Sequence, residues 1–275
     1  MGVSAPKRKL AATQAEGLDA ARGQRPQRVL PSHGPGQFPA KLASPKLSGR
    51  SRVPPYRYYA GFSEDFVRDI INASQIGSNS LLLDPWNGSG TTTRVAAQLG
   101  VNAVGIDLNP AMAVLAKARL LQTDEGQVAA RLLAGMAKRR PPPIMRSDDP
   151  LLDWFDARSA ALIRGVERHF QIGANGPLLP VHPDDLSIMQ AHLYAALFLA
   201  VRALLQPFTT TNPTWVRKPK PNEAKLHVNW DSFQLNLLRS ALVLQADALT
   251  DLPPENCTTV NCSPPPGRAT VWVAF

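Results

Sequence analysis

Two short apolar runs, each ending at an aspartate and separated by a glycine turn and a helix, constrain this chain more than any other feature. Ser80-Leu81-Leu82-Leu83-Asp84 is the first, and Pro85-Trp86-Asn87-Gly88-Ser89-Gly90 follows it directly. Thr91 to Leu99 then has helical spacing, with Gly100 placed to close the helix. Asn102-Ala103-Val104-Gly105-Ile106-Asp107 is the second apolar run, and Pro110 to Leu121 the second helical stretch. Strand, glycine turn, helix, strand, helix is the first half of a doubly wound parallel sheet, whose strands are buried. An α/β fold is therefore expected.

In such a sheet, ligands bind beyond the carboxyl ends of the strands. Gly88 and Gly90 permit positive φ and lack the Cβ atoms that would hinder close approach. Asp84 can accept a hydrogen bond from an amine or a bridging water. Asp107 ends the next strand, near the ~20-residue offset at which an acidic residue meets a ribose. Three ligand types compete for the turn. A phosphate-binding P-loop needs Lys before Ser/Thr, whereas Thr91-Thr92-Thr93 follows here. The dinucleotide fingerprint needs a third glycine where Thr93 stands. S-adenosylmethionine has no phosphate to cradle, only a ribose, an adenine and a charged methionine end. A turn that begins with a carboxylate suits it best.

Around this unit the texture changes. Residues 1–53 are rich in Lys, Arg, Pro, Gly, Ala and Ser, too poor in large apolar side chains to offset ordering entropy. The segment reads as a flexible basic arm for phosphates or as an unstructured leader. Ser63 can cap a helix carrying Glu64 and Asp65 in its first turn and Phe66, Val67, Ile70 and Ile71 at helical spacing, ended by Gly77. Past residue 121 the alternation stops. Helices are expected near Gln127–Arg139, Trp154–Phe170, Asp184–Leu205 and Phe233–Leu244, broken by Pro141-Pro142-Pro143 and by the loop Thr209–Pro221. Thr258 to Cys262 is a last strand, leading into Ser263-Pro264-Pro265-Pro266.

Composition narrows the partners. A formal net charge of +9 points first to a polyanion such as nucleic acid. The two cysteines, Cys257 and Cys262, match neither a zinc pair nor a redox motif and read as reduced thiols. The five histidines show no metal-ligand spacing, and His192 reads as a core residue rather than a ligand. No signal peptide is apparent, and no apolar run reaches the ~20 residues of a membrane span. A soluble, cytoplasmic protein without metal or membrane is expected.

The motifs together resemble the site-specific DNA methyltransferases that modify exocyclic amino groups, particularly the cytosine-N4 branch. Asp84-Pro85-Trp86-Asn87-Gly88-Ser89-Gly90-Thr91-Thr92 resembles the family's cofactor motif, with Trp86 where Phe is usual. Gly105-Ile106-Asp107 resembles its ribose-binding strand end. Tyr58-Tyr59-Ala60-Gly61-Phe62-Ser63 resembles the segment beside the methionine end, and Phe38-Pro39-Ala40-Lys41 resembles family material upstream of it. Cys262-Ser263-Pro264-Pro265 resembles the start of the catalytic motif, usually Ser-Pro-Pro-Tyr in cytosine-N4 enzymes. The resemblance implies a Rossmann-like S-adenosylmethionine-dependent fold with a mainly helical insertion, truncated at its C-terminus. It implies cofactor contacts from Tyr59, Gly61, Phe62, Asp84, Pro85, Trp86, Gly88, Gly90 and Asp107.

An exocyclic amine is a poor nucleophile because its lone pair is delocalised into the ring. Ser263 and a carbonyl near Pro264 can accept hydrogen bonds from it as it pyramidalises, with Pro264 and Pro265 stiffening the loop. The target base would be flipped from the duplex. Position 266 departs from the pattern, being Pro266 rather than the aromatic that stacks on that base, and few residues follow it. The expected segments are 1–53 (basic arm), 54–121 (cofactor half), 122–235 (helical insertion, target recognition) and 236–275 (incomplete catalytic segment). Trp215, Arg217, Lys218 and Lys220 form a DNA-contacting loop or a solvated basic one. Asp247 lies either near the cofactor adenine or at a turn cap. Double-stranded DNA is the expected partner, with a cognate restriction nuclease admitted by the family resemblance. The alternatives are an inactive DNA- or cofactor-binding remnant and an amino-group methyltransferase acting on RNA or protein.

Overall fold

The computed structural model describes residues 42–46, 56, 61–171, 181–211, 215–246, 249 and 258–262. The chain divides after Gly36, and every described residue belongs to the second unit. Tyr59, Asp247, Ser263, Pro264 and Pro265 lie outside the described residues.

Three strands form one parallel sheet in the order β1 (Leu81–Asp84), β2 (Asn102–Asp107), β3 (Thr259–Cys262). The register sets Asp84 beside Gly105 and Asp107 beside Cys262, so all three strands end along one edge. Helix α1 (Glu64–Ala73) begins at Ser63, whose hydroxyl accepts from the Phe66 N–H. That hydroxyl also donates to the Ser44 carbonyl at 2.6 Å, and the Ala43 N–H donates to Asp69 at 2.8 Å. The short stretch before α1 is thereby pinned to it. The helix ends at Ala73 rather than at Gly77, and Gln75 takes the left-handed turn (φ 52°).

Helices α2 (Thr91–Gln98) and α3 (Pro110–Ala118) return the chain between strands, and Gly100 (φ 69°) closes the loop after α2 as its position predicts. Leu82 and Ala103 pack with α1 and α2, while Val260 packs with Ala97, Ala113 and Ala116. Because Gly105 pairs with Val260, these residues share one face of the sheet. Leu81, Leu83, Val104, Ile106, Thr259 and Asn261 occupy the other. Leu81 is 66% and Leu83 60% exposed, so β1 is not the buried strand its apolar run predicts. Among the described residues, the second face has no covering layer.

The remaining helices extend the covered side. They are α4 (Thr123–Lys138), α5 (Ala157–His169), α6 (Ile188–Leu204) and α7 (Trp230–Ala246). Gln122 and Glu125 form a capping box that starts α4 four residues before the apolar pattern does. One apolar core runs from Met112 and Leu115 of α3 through Leu133, Ile163 and Leu197 to Phe233 and Leu237 of α7. The helices of 122–246 thus share their core with the helix that follows β2. Inside it, Arg164 forks onto Asp149 at 2.7 and 2.8 Å and also binds Glu167, joining the short helical turn Pro150–Asp153 to α5.

Candidate functional site

The turn after β1 is built from short, local bonds. Asp84 accepts from the Trp86 N–H at 3.0 Å, an Asx turn that bends the chain out of the strand. The Asn87 N–H then donates to the Ile106 carbonyl at 3.0 Å, which lays the turn across the end of β2. Gly88 (φ 53°) and Gly90 (φ 84°) both take the left-handed conformation expected of them. Their roles differ. The Gly88 N–H donates to Asp107 at 2.8 Å. A Cβ on Gly90 would lie 2.6 Å from the Ala116 Cβ, so this glycine admits the close approach of α3. Gly105 serves packing too, since its Cβ would collide with the Asn87 amide.

Asp107 is the hub. One carboxylate oxygen accepts from Gly88 and the other from the Asn109 N–H at 2.8 Å, so it ties the glycine turn to the start of α3. Asp84 and Asp107 remain partly exposed, with no cation paired to either among the described residues. Apolar side chains stand open at the strand ends: Trp86 is 81%, Leu108 63% and Phe62 51% exposed, with Phe62 against the Phe66 ring. Gly61 and Phe62 sit just before the Ser63 cap, at the α1 side of the site, and Pro85 is exposed between Asp84 and Trp86. A ligand that offers hydroxyl or amine donors at one end and a flat apolar ring at the other fits this set.

A second tier supports the turn and has no local sequence signature. Arg119, at the C-cap of α3 and 4% exposed, donates to the Ser89 carbonyl at 3.0 Å and to Glu64 at 3.0 Å. Arg94 of α2, 1% exposed, reaches the same Glu64 oxygen at 3.4 Å. Glu64 looks from sequence like a first-turn helix acid. It is also the acceptor that ties α1 to α2 and α3 behind the turn. The Asn87 Nδ2 is buried without a hydrogen-bond partner, while its Oδ1 accepts from Thr93. Exchanging the amide atoms would orphan the oxygen instead, so the turn carries one unsatisfied polar atom in either orientation.

The aromatic–basic loop is differently arranged. Arg217 is held by a two-pronged bond to Glu223 at 2.7 and 2.8 Å and lies over the Phe208 ring. That hydrogen bond holds the Glu223 carboxyl down to about 2. Lys218 pairs with Asp153 at 2.7 Å. Trp215 is 69% exposed, and the Lys220 charge lies close enough to Glu223 to help hold that carboxyl down. Two of the three cations expected to meet DNA are thus matched by carboxylates. Among the described residues no group of His, Cys, Asp or Glu could hold a metal, and no helix is long and apolar enough to cross a membrane.

Residues 19–118 match the N6/N4 methyltransferase family model, described as DNA methylase. The match covers a little over a third of the chain and takes in α1, the glycine turn, β2 and α3. A curated relative, the Type II methyltransferase M.BsoBI of Geobacillus stearothermophilus, is 43% identical over 54 residues, which is 20% of this chain and 11% of that protein. The chain therefore spans about a tenth of that relative's length. No solved structure matches.

Proposed function

We propose that this chain carries the cofactor half of an S-adenosylmethionine-dependent methyltransferase acting on exocyclic amino groups of DNA, cytosine N4 first. The observation that carries the proposal is the register of the sheet. It brings Asp107, the hub of the glycine turn, beside Cys262, the residue before Ser263-Pro264-Pro265. The cofactor turn and the entry to the catalytic segment leave the sheet at the same edge. The DNA methylase similarity of residues 19–118 supports the same assignment.

In this proposal Asp107 accepts from the ribose hydroxyls, and Trp86, Leu108 and Phe62 give the apolar contacts. Asp84 accepts from the amino end directly or through water. The bound cofactor supplies an electrophilic methyl group. Ser263 and the carbonyl near Pro264 would accept hydrogen bonds from the target amine, which lets its lone pair turn out of conjugation toward that methyl, and the methylated nitrogen would then release one proton to solvent. Flipping the base brings the amine to this edge. Tyr59 and Asp247 complete the cofactor contacts, and Trp215 and Lys220 lie against the duplex. A cognate restriction nuclease is the proposed cellular partner and the cytoplasm the proposed location.

A second proposal, binding without transfer, is favoured by Pro266, which stands where the resembled catalytic motif has the aromatic that stacks on the flipped base. Titration calorimetry with S-adenosylmethionine, paired with a methyl-transfer assay on duplex DNA and on RNA, separates the two. The enzyme proposal expects binding, and transfer to DNA that falls at least tenfold in Ser263→Ala with cofactor affinity unchanged. Binding without transfer would favour the second proposal, and no binding would defeat both. Transfer to RNA alone would move the substrate away from DNA.

A further inference from the structure

A cavity of about 520 Å³ opens between the C-terminal halves of α4 and α5, on elements the glycine turn does not use. Arg131, Arg139, Arg140 and Arg168 line it together with His169. No carboxylate pairs with any of these arginines among the described residues. Arg140 alone has a fixed contact, over the Trp230 ring at 5.4 Å. Several arginines elsewhere are instead met by carboxylates: Arg164 by Asp149 and Glu167, Arg217 by Glu223, Arg94 and Arg119 by Glu64. Arginines gathered along one cavity create a positive potential there that favours an anion.

The backbone shapes this cavity. Gly135 lies on the α4 face between Arg131 and Arg139, and a Cβ there would meet nothing within 4 Å. It opens onto empty space. Gly165 of α5 instead admits the Pro142 carbonyl, which a Cβ would meet at 2.4 Å, and the Ile144 N–H donates to the Ala161 carbonyl at 2.9 Å. The Pro141–Pro143 strap is thereby held tight to α5, so the wall opposite α4 is fixed rather than pliable.

We propose that this cavity and its arginine row hold the phosphodiester backbone of duplex DNA, as an anchoring surface separate from the cofactor turn. This rests on the DNA assignment above. Arg131 and Arg139 are separated by about 12 Å along α4. That span exceeds the reach of one phosphate and covers successive phosphates of a strand, spaced by a few ångströms along the duplex axis. Arginine forks suit phosphate oxygens in two-pronged pairs. The exposed Leu132 offers an apolar rest for the sugar edge.

The test is fluorescence anisotropy of the full 275-residue chain with a labelled duplex across a series of salt concentrations. Two variants are compared with the parent, each checked for an unchanged circular dichroism spectrum. Arg131→Gln/Arg139→Gln removes two charges; Gly135→Met fills the cavity while keeping every charge, and replaces a helical glycine with a better helix former. Both should bind duplex at least tenfold more weakly. The arginine pair should also flatten the dependence of log K on log salt by about 2, near 0.9 for each lost phosphate contact. Parent-like affinity and slope in both variants would overturn the anchoring surface and leave the DNA assignment standing. No duplex binding by the parent would remove both. Adenosine monophosphate and inorganic phosphate serve as competitors. If either displaces duplex at submillimolar concentration, and the variants abolish that displacement, the cavity takes a free phosphate and the duplex assignment fails.

Discussion

His192 lies in α6 with no exposed surface, and neither ring nitrogen has a hydrogen-bond partner. Burial alone pushes the imidazole down to about 4. In the unfolded chain the ring titrates near 6.5, so between about pH 6.5 and 4 the unfolded state binds a proton that the folded state refuses. Stability is therefore fully present above about pH 6.5 and drains away as pH falls toward 4, by up to about 3 kcal/mol. Urea midpoints measured from pH 7.5 to 4.5 should fall accordingly. His192→Leu should remove most of that slope, and a slope that persists in the variant would assign it to other groups. Asp107 is the opposite case, a half-open carboxylate whose two oxygens each already hold a backbone N–H. Asp107→Asn turns one of those acceptors into a donor facing an N–H, which removes a charge-assisted bond of ~1.5–3 kcal/mol. The expected result is a loss of S-adenosylmethionine affinity between about tenfold and a hundredfold by calorimetry. Unchanged affinity would detach Asp107 from the cofactor.

Between elements, the Glu64–Arg94–Arg119 cluster is the joint that holds the glycine turn against α1. Arg119→Met would leave the Ser89 carbonyl buried without its guanidinium and Glu64 with Arg94 alone. Breaking a fully buried pair costs ~3–5 kcal/mol, but Glu64 keeps some solvent and one partner, so about 2 kcal/mol is expected in chemical denaturation. Arg119→Lys should recover little, because an ammonium does not reproduce the planar two-acceptor fork. This joint could not be read in the sequence: its members lie 30 and 55 positions apart, and each looks like ordinary helix surface. The elements themselves were readable where local chemistry decides them. β2 matches its apolar run residue for residue, and Ser63, Gly88 and Gly100 behave as their types require. Boundaries shifted where the deciding group was unusual. Gln122 is a rare cap, so α4 starts early, and Gln75 rather than Gly77 makes the left-handed turn after α1. Trp154 and Asp184 fall in short turns ahead of α5 and α6, because Asp156 and Ser187 supply the caps.

Across the described residues, the parallel sheet has one helix-covered face and one open face. A parallel sheet is ordinarily sandwiched between helical layers, and its ligand crevice lies where the strand order reverses, beside the first strand. Here the described strands run β1-β2-β3 with no reversal, and among the described residues β1 forms an open edge. The alternate side chains Leu81 and Leu83 project from it into solvent, with Trp86 exposed just beyond. An apolar run that periodicity alone marks as buried thus stays open, with no second layer over it among the described residues, which no local pattern in residues 80–84 could reveal. The physical consequence is a sticky edge: unpaired strand groups beside exposed leucines invite self-pairing. Leu81→Lys/Leu83→Lys should lower the binding of a hydrophobic dye and move the 275-residue chain toward monomer in size-exclusion chromatography. The denaturation midpoint should stay near the parent's, since both side chains are already mostly in water and such surface changes are usually worth under ~0.5 kcal/mol. A loss of several kcal/mol in this variant would show instead that the face is covered in solution, and that Leu81 and Leu83 belong to a core.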